Sequence, residues 1–401
     1  MTIRKLSLTA VMFVLSVTTL FSEEFDPRRN QVYRGSLFRD GVFETSGVPK
    51  LSGLKWKFKT DAEVKSSPIV VDDILYVGSW DGHMYAVNPA DGKEIWKYDA
   101  GARVSAPPCV AYGALYFPSE NRTLHALDPK TGEVRWKKEE YTTTSWIKSE
   151  PTAAVLPVAG VVIAQSGSFD GIEGIAQGMN PAVAVDPRTG DRKFELDKSQ
   201  AYDALATDGR LVVSSSADLS HTAFDLQTKK RRWRESTPCY SRSVNTAAIR
   251  DGKVIIIGGP AGVVRCSDLE TGRKIWETPI YPEQCSLQDG GAIGFEIIAS
   301  PAFTEELVVV PCFDGNLYAL SATDGHIVWK YAYGSIAHSS PSVANGVVYF
   351  GDFAGKLHAV ELDTGKALWT FQAGGRIITS PWPADGAIYF GCDDGFIYAL
   401  E

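Results

Sequence analysis

The stretch AVNPADGKEIW (residues 86–96) has six further copies along the chain, and it decides the fold. Each copy begins with a small residue and ends, ten positions later, with an aromatic residue. The other copies are ALDPKTGEVRW (126–136), AVDPRTGDRKF (184–194), AFDLQTKKRRW (223–233), CSDLETGRKIW (266–276), ALSATDGHIVW (319–329) and AVELDTGKALW (359–369). Internal repetition of this kind is typical of folds that stack one small unit many times.

Each copy predicts two antiparallel strands joined by a tight hairpin. The glycine late in the turn, such as Gly92, suits a left-handed backbone that other residues adopt at a cost. The fourth copy has Lys229 at that place, so we expect a strained or different turn there. Two more strand-like runs precede each hairpin, most clearly in SSPIVVDDILYVGSWDGHMYAV (66–87). Four short strands in about 40 residues are the signature of a propeller blade.

The last copy, TSPWPADGAIYFGCDDGFIYALE (379–401), supplies only three strands. A suitable fourth strand, SGLKWKFKTD (52–61), precedes the first full blade, so we expect residues 53–60 to pair with residues 396–400 and close the ring. The sequence thus predicts an all-β, eight-bladed propeller of four-stranded antiparallel blades. Seven blades remain the alternative, should the irregular third or fourth unit form no blade. The outer-strand aromatics that give the count are Trp56, Trp96, Trp136, Phe194, Trp233, Trp276, Trp329 and Trp369.

Residues 1–22 combine two early cations with an apolar stretch, which predicts a secretory signal peptide. A membrane anchor is the alternative, but the stretch is shorter than the ~20 residues that a span needs. Residues 23–52 form a leader, and residues 53–401 form the propeller. We therefore expect an exported protein, periplasmic or secreted.

The formal net charge of −8 argues against a nucleic-acid partner, because proteins that bind nucleic acids are normally basic. The six cysteines show no metal-binding spacing, so no metal site is predicted. Cys312 and Cys392 occupy equivalent places in blades that are not neighbours and should not bridge. Only Cys239 and Cys285 fall in loops between consecutive blades on one face, where a disulfide is possible.

Three insertions interrupt the repeat, at residues 137–150, 166–181 and 279–297. Strand direction alternates within a blade, so all three emerge at the same end of the ring, where loops on a rigid scaffold commonly carry function. The innermost strands also begin at this end, and we expect their cations to form a collar that attracts an anionic ligand or an acidic peptide, with Glu296 as the main acid. A solvated rim without a ligand is the alternative. The cationic residues at these positions are Lys65, Arg103, Lys148, Arg242, His338 and Arg376.

The A-x-D-x-x-T-G-x-x-x-W unit and the SSP…(I/V)YFG inner strands resemble the pyrroloquinoline-quinone-type (PQQ-type) propeller repeat, over about residues 53–401. That repeat builds quinoprotein alcohol dehydrogenases and also the non-enzymatic BamB-like propellers of outer-membrane-protein assembly. The resemblance implies that the outer-strand tryptophans are structural and dock between blades. In the enzymes a quinone lies between a tryptophan and a disulfide of adjacent cysteines, beside calcium.

This chain has no pair of adjacent cysteines. Trp146 or Trp382 could in principle stack on a quinone, although Trp382 better fits an inner strand. Asp170, Glu173 and Glu296 could bind a cation, but their spacing does not match a calcium loop.

We therefore interpret the chain as an exported, non-catalytic propeller without a cofactor. It would bind a protein segment or a small anion on the insertion face, as a monomeric scaffold in envelope-protein assembly at the periphery of the outer membrane. A small oxidoreductase using PQQ and calcium is one alternative, and a polysaccharide-associated propeller is another. The candidate binding residues are Lys65, Arg103, Trp146, Lys148, Asp170, Glu173, Arg242, Glu296, His338 and Arg376.

Overall fold

The computed structural model describes residues 32–139, 154–165, 182–196, 204–215, 220–236, 246–258, 262–280 and 299–401. Within these ranges every regular element is a β-strand, and the strands form eight sheets. The predicted eight-bladed propeller is confirmed, because the third and fourth units each form a blade. In the described part of the chain, no helix has the length and apolar character needed to cross a bilayer. The predicted signal peptide lies outside the described residues.

Two strands precede the first complete blade: β1 (Val42–Phe43) and β2 (Leu54–Lys59). Blade 1 contains β3 (Ile69–Val71), β4 (Ile74–Gly78), β5 (His83–Val87) and β6 (Glu94–Asp99). Blade 2 contains β7 (Cys109–Ala111), β8 (Ala114–Ser119), β9 (Thr123–Leu127) and β10 (Val134–Lys138). Blade 3 contains β11 (Leu156–Val158), β12 (Val161–Gln165), β13 (Ala182–Val185) and β14 (Arg192–Glu195). Blade 4 contains β15 (Ala204–Thr207), β16 (Leu211–Ser215), β17 (Ser220–Asp225) and β18 (Lys230–Ser236).

Blade 5 contains β19 (Ala248–Arg250), β20 (Lys253–Gly258), β21 (Val263–Asp268) and β22 (Lys274–Pro279). Blade 6 contains β23 (Ala302–Phe303), β24 (Leu307–Cys312), β25 (Asn316–Ser321) and β26 (Ile327–Ala332). Blade 7 contains β27 (Ser342–Ala344), β28 (Val347–Gly351), β29 (Lys356–Glu361) and β30 (Ala367–Gln372). Blade 8 contains β31 (Trp382–Ala384), β32 (Ala387–Gly391) and β33 (Phe396–Leu400).

Burial differs between the middle and the outer strands of a blade. The middle strands β8, β9 and β24 are buried along their whole length, because neighbouring blades cover both of their faces. The outer strands β6 and β26 bury only their tryptophan and leave most other positions exposed or half-buried. The core therefore lies between blades, and each blade needs its two neighbours to complete it.

The ring is closed by the beginning of the propeller, as the sequence predicted. Strand β2 pairs antiparallel with β33, and the register places Trp56 opposite Ala399 and Lys57 opposite Tyr398. Blade 8 thereby gains its fourth strand, in the order β2-β33-β32-β31. This closure covers the edge of β33, which an open ring would leave unpaired.

The outer-strand tryptophans join each blade to the next. In six of the seven, the indole Nε1–H donates a hydrogen bond to a carbonyl oxygen of the next blade, and the ring lies against the hairpin glycine of that blade, whereas Trp369 donates to the carbonyl of Val48 in the leader. These contacts hold neighbouring parts of the ring together. The bonds run from Trp56 to Pro89, Trp96 to Pro129, Trp136 to Pro187, Trp233 to Leu269, Trp276 to Ala322, Trp329 to Leu362 and Trp369 to Val48, at 2.8–3.1 Å.

Serines of the SSP motif add a second set of links nearer the axis. Ser300 N–H donates to Ser340 Oγ at 2.9 Å, and Ser380 N–H donates to Ser67 Oγ at 2.9 Å, each across a blade boundary. The hydroxyl of the second serine accepts a hydrogen bond in these pairs, whereas the hydroxyl of the first serine donates one. Ser339 Oγ donates to the carbonyl oxygen of Thr379 in the next blade, at 2.8 Å. All five side chains are buried, so these hydrogen bonds satisfy groups that would otherwise be costly to desolvate.

The leader follows the inner edge of the ring from residue 32 onward. Val32 bridges Cys109 in blade 2, and β1 adds to blade 7 as a fifth strand, parallel to β27. Between these points, four consecutive blades each donate one backbone N–H to a leader carbonyl. The pairs are Thr207 to Leu37, Ile249 to Phe38, Phe303 to Asp40 and Val343 to Gly41, at 2.7–3.0 Å.

Two fully buried arginines fasten the leader. Arg34 donates hydrogen bonds to the carbonyl oxygens of Arg39, Ser300 and Pro301. Arg39 donates to the carbonyl oxygens of Tyr33 and Val155. Burial lowers the pKa of both guanidinium groups, to about 10 for Arg39. The leader is therefore an internal part of the ring, bound through backbone carbonyls of the blades.

Candidate functional site

Backbone hydrogen bonds hold the site at one end of the ring. The residue that follows the second strand of a blade donates its N–H to a carbonyl just before the first strand of the same blade. The pairs are Trp80 to Glu63, Glu120 to Arg103, Phe353 to Ile336 and Asp393 to Arg376, at 2.8–3.0 Å. Because the same bond recurs in four blades, it brings these side chains to one level at the end of the ring from which the predicted insertions emerge.

The side chains at this level form one row over five consecutive blades, which we call the collar. It runs from blade 6 through blades 7, 8 and 1 to blade 2. It combines aromatic and charged side chains. The collar consists of Phe313, His338, Phe353, Arg376, Asp393, Glu63, Lys65, Trp80, Arg103 and Glu120.

One half of the collar is an aromatic stack that ends in an ion pair. His338 lies between Phe313 and Phe353, with ring centroids 5.2 Å and 4.4 Å away. The Arg376 guanidinium lies 5.3 Å from the Phe353 ring centroid, and its Nε donates to Asp393 Oδ2 at 2.6 Å. Flat rings and guanidinium groups stack favourably in this way, which fixes the side chains in place.

The other half is centred on the Trp80 ring. Lys65 Nζ lies 3.6 Å from a Trp80 ring centroid, and the Arg103 guanidinium lies 4.4 Å from it. Trp80 Nε1–H donates to Ser105 Oγ at 2.8 Å, and Ser105 Oγ donates to Glu120 at 2.6 Å. Cation–π contacts of this kind contribute more when the cation is desolvated, as Lys65 is.

The collar is less positively charged than the sequence predicted, because two of its cations pair with carboxylates. Lys65 is only 5% exposed, and its Nζ pairs with Glu63 at 3.0 Å. Asp393 pairs with Arg376, yet burial raises the pKa of its carboxyl group, against the opposing effect of Lys65 and Arg376. The collar thus has three fixed cations and three carboxylates in addition to His338, and it is a balanced, partly aromatic surface. Arg103 has no carboxylate in ion-pairing range within the described ranges.

The structure brings together four of the predicted site residues: Lys65, Arg103, His338 and Arg376. Trp146, Lys148, Asp170, Glu173, Arg242 and Glu296 lie outside the described residues. Sequence reasoning missed the aromatic and acidic members of the collar. An alignment of the repeats could have found four of these six residues, because SWDGH, CFDGN, DFAGK and CDDGF place Trp80, Phe313, Phe353 and Asp393 in one column.

An open groove of about 530 Å³ continues the collar between blades 6 and 7. Phe313 and Phe353 line it together with Ile336, which is 38% exposed, and with the backbone of Gly315 and Gly334. An apolar floor of this kind suits an apolar side chain of a polypeptide.

The cysteines of the described ranges and Trp382 are all buried in the blades. Cys312 and Cys392 are free and buried in blades 6 and 8, and burial raises the pKa of each thiol to about 12. Trp382 is buried in β31 against the edge of Phe43, with ring centroids 4.9 Å apart, so it offers no open face for stacking. The proposed pair Cys239 and Cys285 lies outside the described residues.

Eight blades of this repeat, joined by docked tryptophans, define the class of protein as an eight-bladed propeller of the PQQ-repeat type. The family model described as outer membrane protein assembly factor BamB matches residues 50–196, 168–294 and 262–401. The chain belongs to this family.

Individual relatives agree with this assignment. An outer membrane protein assembly factor BamB from Alteromonas naphthalenivorans is 26% identical over 191 residues, which cover 46% of this chain and 43% of that protein. The match thus spans less than half the length of this curated relative. The crystal structure of BamB from Moraxella catarrhalis has a TM-score of 0.67 at 17% identity, covering 87% of this chain and 97% of that one. Quinohemoprotein alcohol dehydrogenase from Comamonas testosteroni has a TM-score of 0.74 at 16% identity, covering 93% and 80%. These two structures show the shared fold.

Proposed function

We propose that this protein is an exported, non-catalytic propeller that holds a segment of a partner protein on the collar. It would act as a scaffold in the assembly of outer-membrane proteins, the process that the family description names. The observation that carries the proposal is the continuous row of stacked aromatic and charged side chains from Phe313 to Glu120. Rigid aromatic anchors beside arginines are the groups that contribute most to protein interfaces.

A polypeptide fits this surface better than a small anion does. The collar spans five blades, whereas a small anion would use one or two cations. Two of the three fixed cations already pair with carboxylates, so the positive charge left for a free anion is centred on Arg103. The apolar groove beside Ile336 adds contact area that a small anion does not need.

Photo-crosslinking would test the proposal. A benzophenone amino acid is placed at Phe353 in the collar or at Lys93, an exposed hairpin residue at the opposite end of the ring. The mature proteins are exposed to envelope extracts and irradiated. We expect covalent adducts with envelope proteins from position 353 and none from position 93. Identical adducts from both positions, or none from the collar, would contradict the proposal.

Charge reversal gives a quantitative test. Arg103→Glu should weaken capture of the crosslinked partner about tenfold, because it replaces the unpaired cation of the collar. Lys130→Glu in the hairpin of the same blade is the matched control, since it changes the net charge equally at the other end. Lys65→Glu is a poor probe, because the buried Lys65 lies beside Glu63 and the reversal would also destabilise the fold.

Two further measurements address the alternatives. Addition of pyrroloquinoline quinone and calcium, followed by absorbance and dye-reduction assays, tests the oxidoreductase. Saturable, stoichiometric quinone binding would overturn the non-catalytic proposal. A glycan array tests the polysaccharide-associated propeller, and specific glycan binding that the Arg103→Glu variant loses would reassign the collar.

A further inference from the structure

A polar pocket of about 210 Å³ opens between blades 1 and 2. Blade 1 contributes the end of its outer strand, and blade 2 contributes the turn before β9 and the end of β10. The pocket shares no residue with the collar, so the proposed function does not use it. Among the residues that line it are Asp99, Ala100, Asn121, His125, Lys137 and Glu139.

Two blade boundaries have the same cluster around a buried histidine. Between blades 1 and 2, His125 Nδ1 lies 3.2 Å from the hydroxyl oxygen of Tyr98. Between blades 6 and 7, His358 Nδ1 lies 3.1 Å from the hydroxyl oxygen of Tyr331. Each imidazole also stacks on a phenylalanine of its own blade. The two boundaries can therefore be compared residue by residue.

One residue decides whether the space beside the histidine is filled. The segments WKYDAG (96–101) and WKYAYG (329–334) place Ala100 and Tyr333 at the same position. The buried Tyr333 ring packs against His358, with ring centroids 5.8 Å apart. Ala100 is small, so the equivalent space between blades 1 and 2 stays open and forms the pocket.

The boundary between blades 7 and 8 shows that a small residue alone does not create such a pocket. Ala373 is the equivalent of Ala100 there, but Tyr398 takes the place of the histidine. The longer Tyr398 side chain reaches Asp394, and its hydroxyl donates to Oδ2 at 2.6 Å. The pocket between blades 1 and 2 thus depends on the combination of alanine and histidine.

Three charged side chains line the pocket without an ion-pair partner. Asp99 comes from blade 1, whereas Lys137 and Glu139 come from blade 2. Among the residues that the structure describes, none of the three lies in ion-pairing range of an opposite charge, and the ion pairs of β10 use its other cations. One oxygen of Asp99 accepts the N–H of Gly101 at 2.8 Å. The pocket therefore presents free charges of both signs, from both of its walls.

The remainder of the lining is uncharged. Both ring nitrogens of His125 have partners, since Nε2 lies 2.8 Å from Ser119 Oγ, and burial lowers the pKa of the imidazole to about 4. His125 is therefore neutral at pH 7 and forms a wall of the pocket. Asn121 Nδ2 donates to the carbonyl oxygen of Ala100 at 3.4 Å, which links the two blades beside the pocket.

We propose that this pocket binds a small zwitterion, a molecule that carries both an ammonium and a carboxylate group, as an α-amino acid with a short side chain does. The ammonium would pair with Asp99 and Glu139, and the carboxylate would pair with Lys137. A molecule with a single charge would complement only part of this set. At the ~30 Å³ that a water molecule occupies in the liquid, the pocket has room for about seven waters, which suits a small amino acid and excludes a large one.

Binding of L-alanine to the protein tests the proposal. A titration of isotope-labelled L-alanine, followed by NMR of the ligand, gives the dissociation constant. Ethylamine and propionate are the matched probes, because each is L-alanine without one of its two charged groups. We expect saturable binding of L-alanine and at least about tenfold weaker binding of either single-charge probe. Absence of saturable L-alanine binding, or equal binding of either probe, would overturn the proposal.

Filling the pocket should abolish the binding. Ala100→Tyr introduces the ring that blade 6 accommodates at the equivalent Tyr333, so the variant should fold and lose affinity for L-alanine. Ala90→Tyr, in the exposed hairpin at the other end of blade 1, is the matched control and should bind L-alanine like the parent. Melting temperatures verify the folding of both variants. A folded Ala100→Tyr variant that still binds L-alanine would contradict the proposal.

Charge reversal provides a second test, which does not depend on the folding of Ala100→Tyr. Lys137→Glu should weaken L-alanine binding at least about tenfold and make ethylamine the better ligand, because the charged groups of the pocket are then all negative. Lys97→Glu, at the equivalent exposed position of blade 1, is the control and should change neither affinity. An unchanged preference of the Lys137→Glu variant for L-alanine over ethylamine would show that the pocket is not the binding site.

Discussion

Lys229 lies over the ring of Phe194 across the boundary between blades 3 and 4, at the one hairpin of the ring where glycine is missing. Its φ of 54° confirms the strained turn that the sequence predicted. At other boundaries the tryptophan ring lies so close to the turn that a Cβ would contact it. At Gly272, for example, a Cβ would lie 2.8 Å from Trp233 Cδ2. The side chain of Lys229 is therefore accommodated together with a smaller aromatic ring.

This relationship predicts that Gly325→Ala destabilises the ring more than a turn glycine normally would. The new Cβ would meet Trp276 Cδ2 at 2.7 Å, and the φ of 78° is unfavourable for alanine. Gly252 has a similar φ of 72° but nothing within 4 Å, so Gly252→Ala is the matched control. We expect a loss of about 1 kcal/mol in the free energy of unfolding for the control, and about 2 kcal/mol more for Gly325→Ala because of overpacking.

Chemical denaturation of both variants measures the difference. The double variant Gly325→Ala, Trp276→Phe should recover part of the loss, because it imitates the natural pair of Lys229 and Phe194. Equal stabilities of the two single variants would show that the tryptophan does not restrict the turn.

Closure of the ring predicts that deletion of residues 53–60 abolishes cooperative folding. The deletion removes β2, exposes the edge of β33 and leaves blade 8 without its tryptophan. Thermal unfolding followed by circular dichroism should lose its sharp transition, and the protein should aggregate. Trp56→Ala alone should cost about 3–5 kcal/mol, as for other large buried side chains. Leu54→Ala, at an exposed position of the same strand, should be within about 0.5 kcal/mol of the parent. A truncated protein that melts like the intact chain would refute the closure.

Because Arg34 fastens the leader to the ring, we expect its substitution to lower the free energy of unfolding. Arg34→Met keeps the length of the side chain but leaves the carbonyl oxygens of Arg39, Ser300 and Pro301 without their donor. Each unpaired buried polar group costs about 1–3 kcal/mol, so we expect at least about 3 kcal/mol in urea denaturation. Arg34→Lys should not restore stability fully, because an ammonium group lacks the planar set of donors. Lys50→Met, at an exposed leader position, is the control, and an equally small effect of both methionine variants would contradict the fastening role.

Because His125 is buried, we expect the free energy of unfolding of the protein to fall in acid. Its ring stacks on Phe117 and bonds to Tyr98 and Ser119. Burial, with a smaller effect of Lys137, lowers its pKa from 6.5 to about 4. The unfolded chain therefore binds more protons between pH 6.5 and 4, so the free energy of unfolding falls as the pH falls through this range. A shift of this size corresponds to about 3 kcal/mol below pH 4.

The measurement is the free energy of unfolding at pH 7 and pH 4. His125→Gln should reduce the difference between the two values, because it removes the buried group that takes up a proton on unfolding. A pH dependence that survives the His125→Gln substitution would assign the acid sensitivity to other groups.

The collar illustrates how far the sequence reaches toward function. Lys65, Arg103, His338 and Arg376 could be placed at one end of the ring because strand direction alternates within each blade. Their contacts were not predicted, because they depend on how side chains of neighbouring blades pack once the ring has formed. The carboxylates that pair with Lys65 and Arg376 were missed, although Glu63 lies only two residues from Lys65.

The sequence by itself determined the blades, the closure through Trp56 and the strained turn at Lys229, because these follow from a local period of strands, turns and aromatic residues. The choice between seven and eight blades was settled by the structure, in which the third and fourth units each form a sheet. The path of the leader, the burial of Arg34 and Arg39, and the pairing of charges in the collar were decided only by tertiary structure. The physical reason is that a repeat specifies contacts within a blade and to the next blade. A segment that crosses six blades, or a row of side chains shared by five, depends on distances that exist only when the ring is closed.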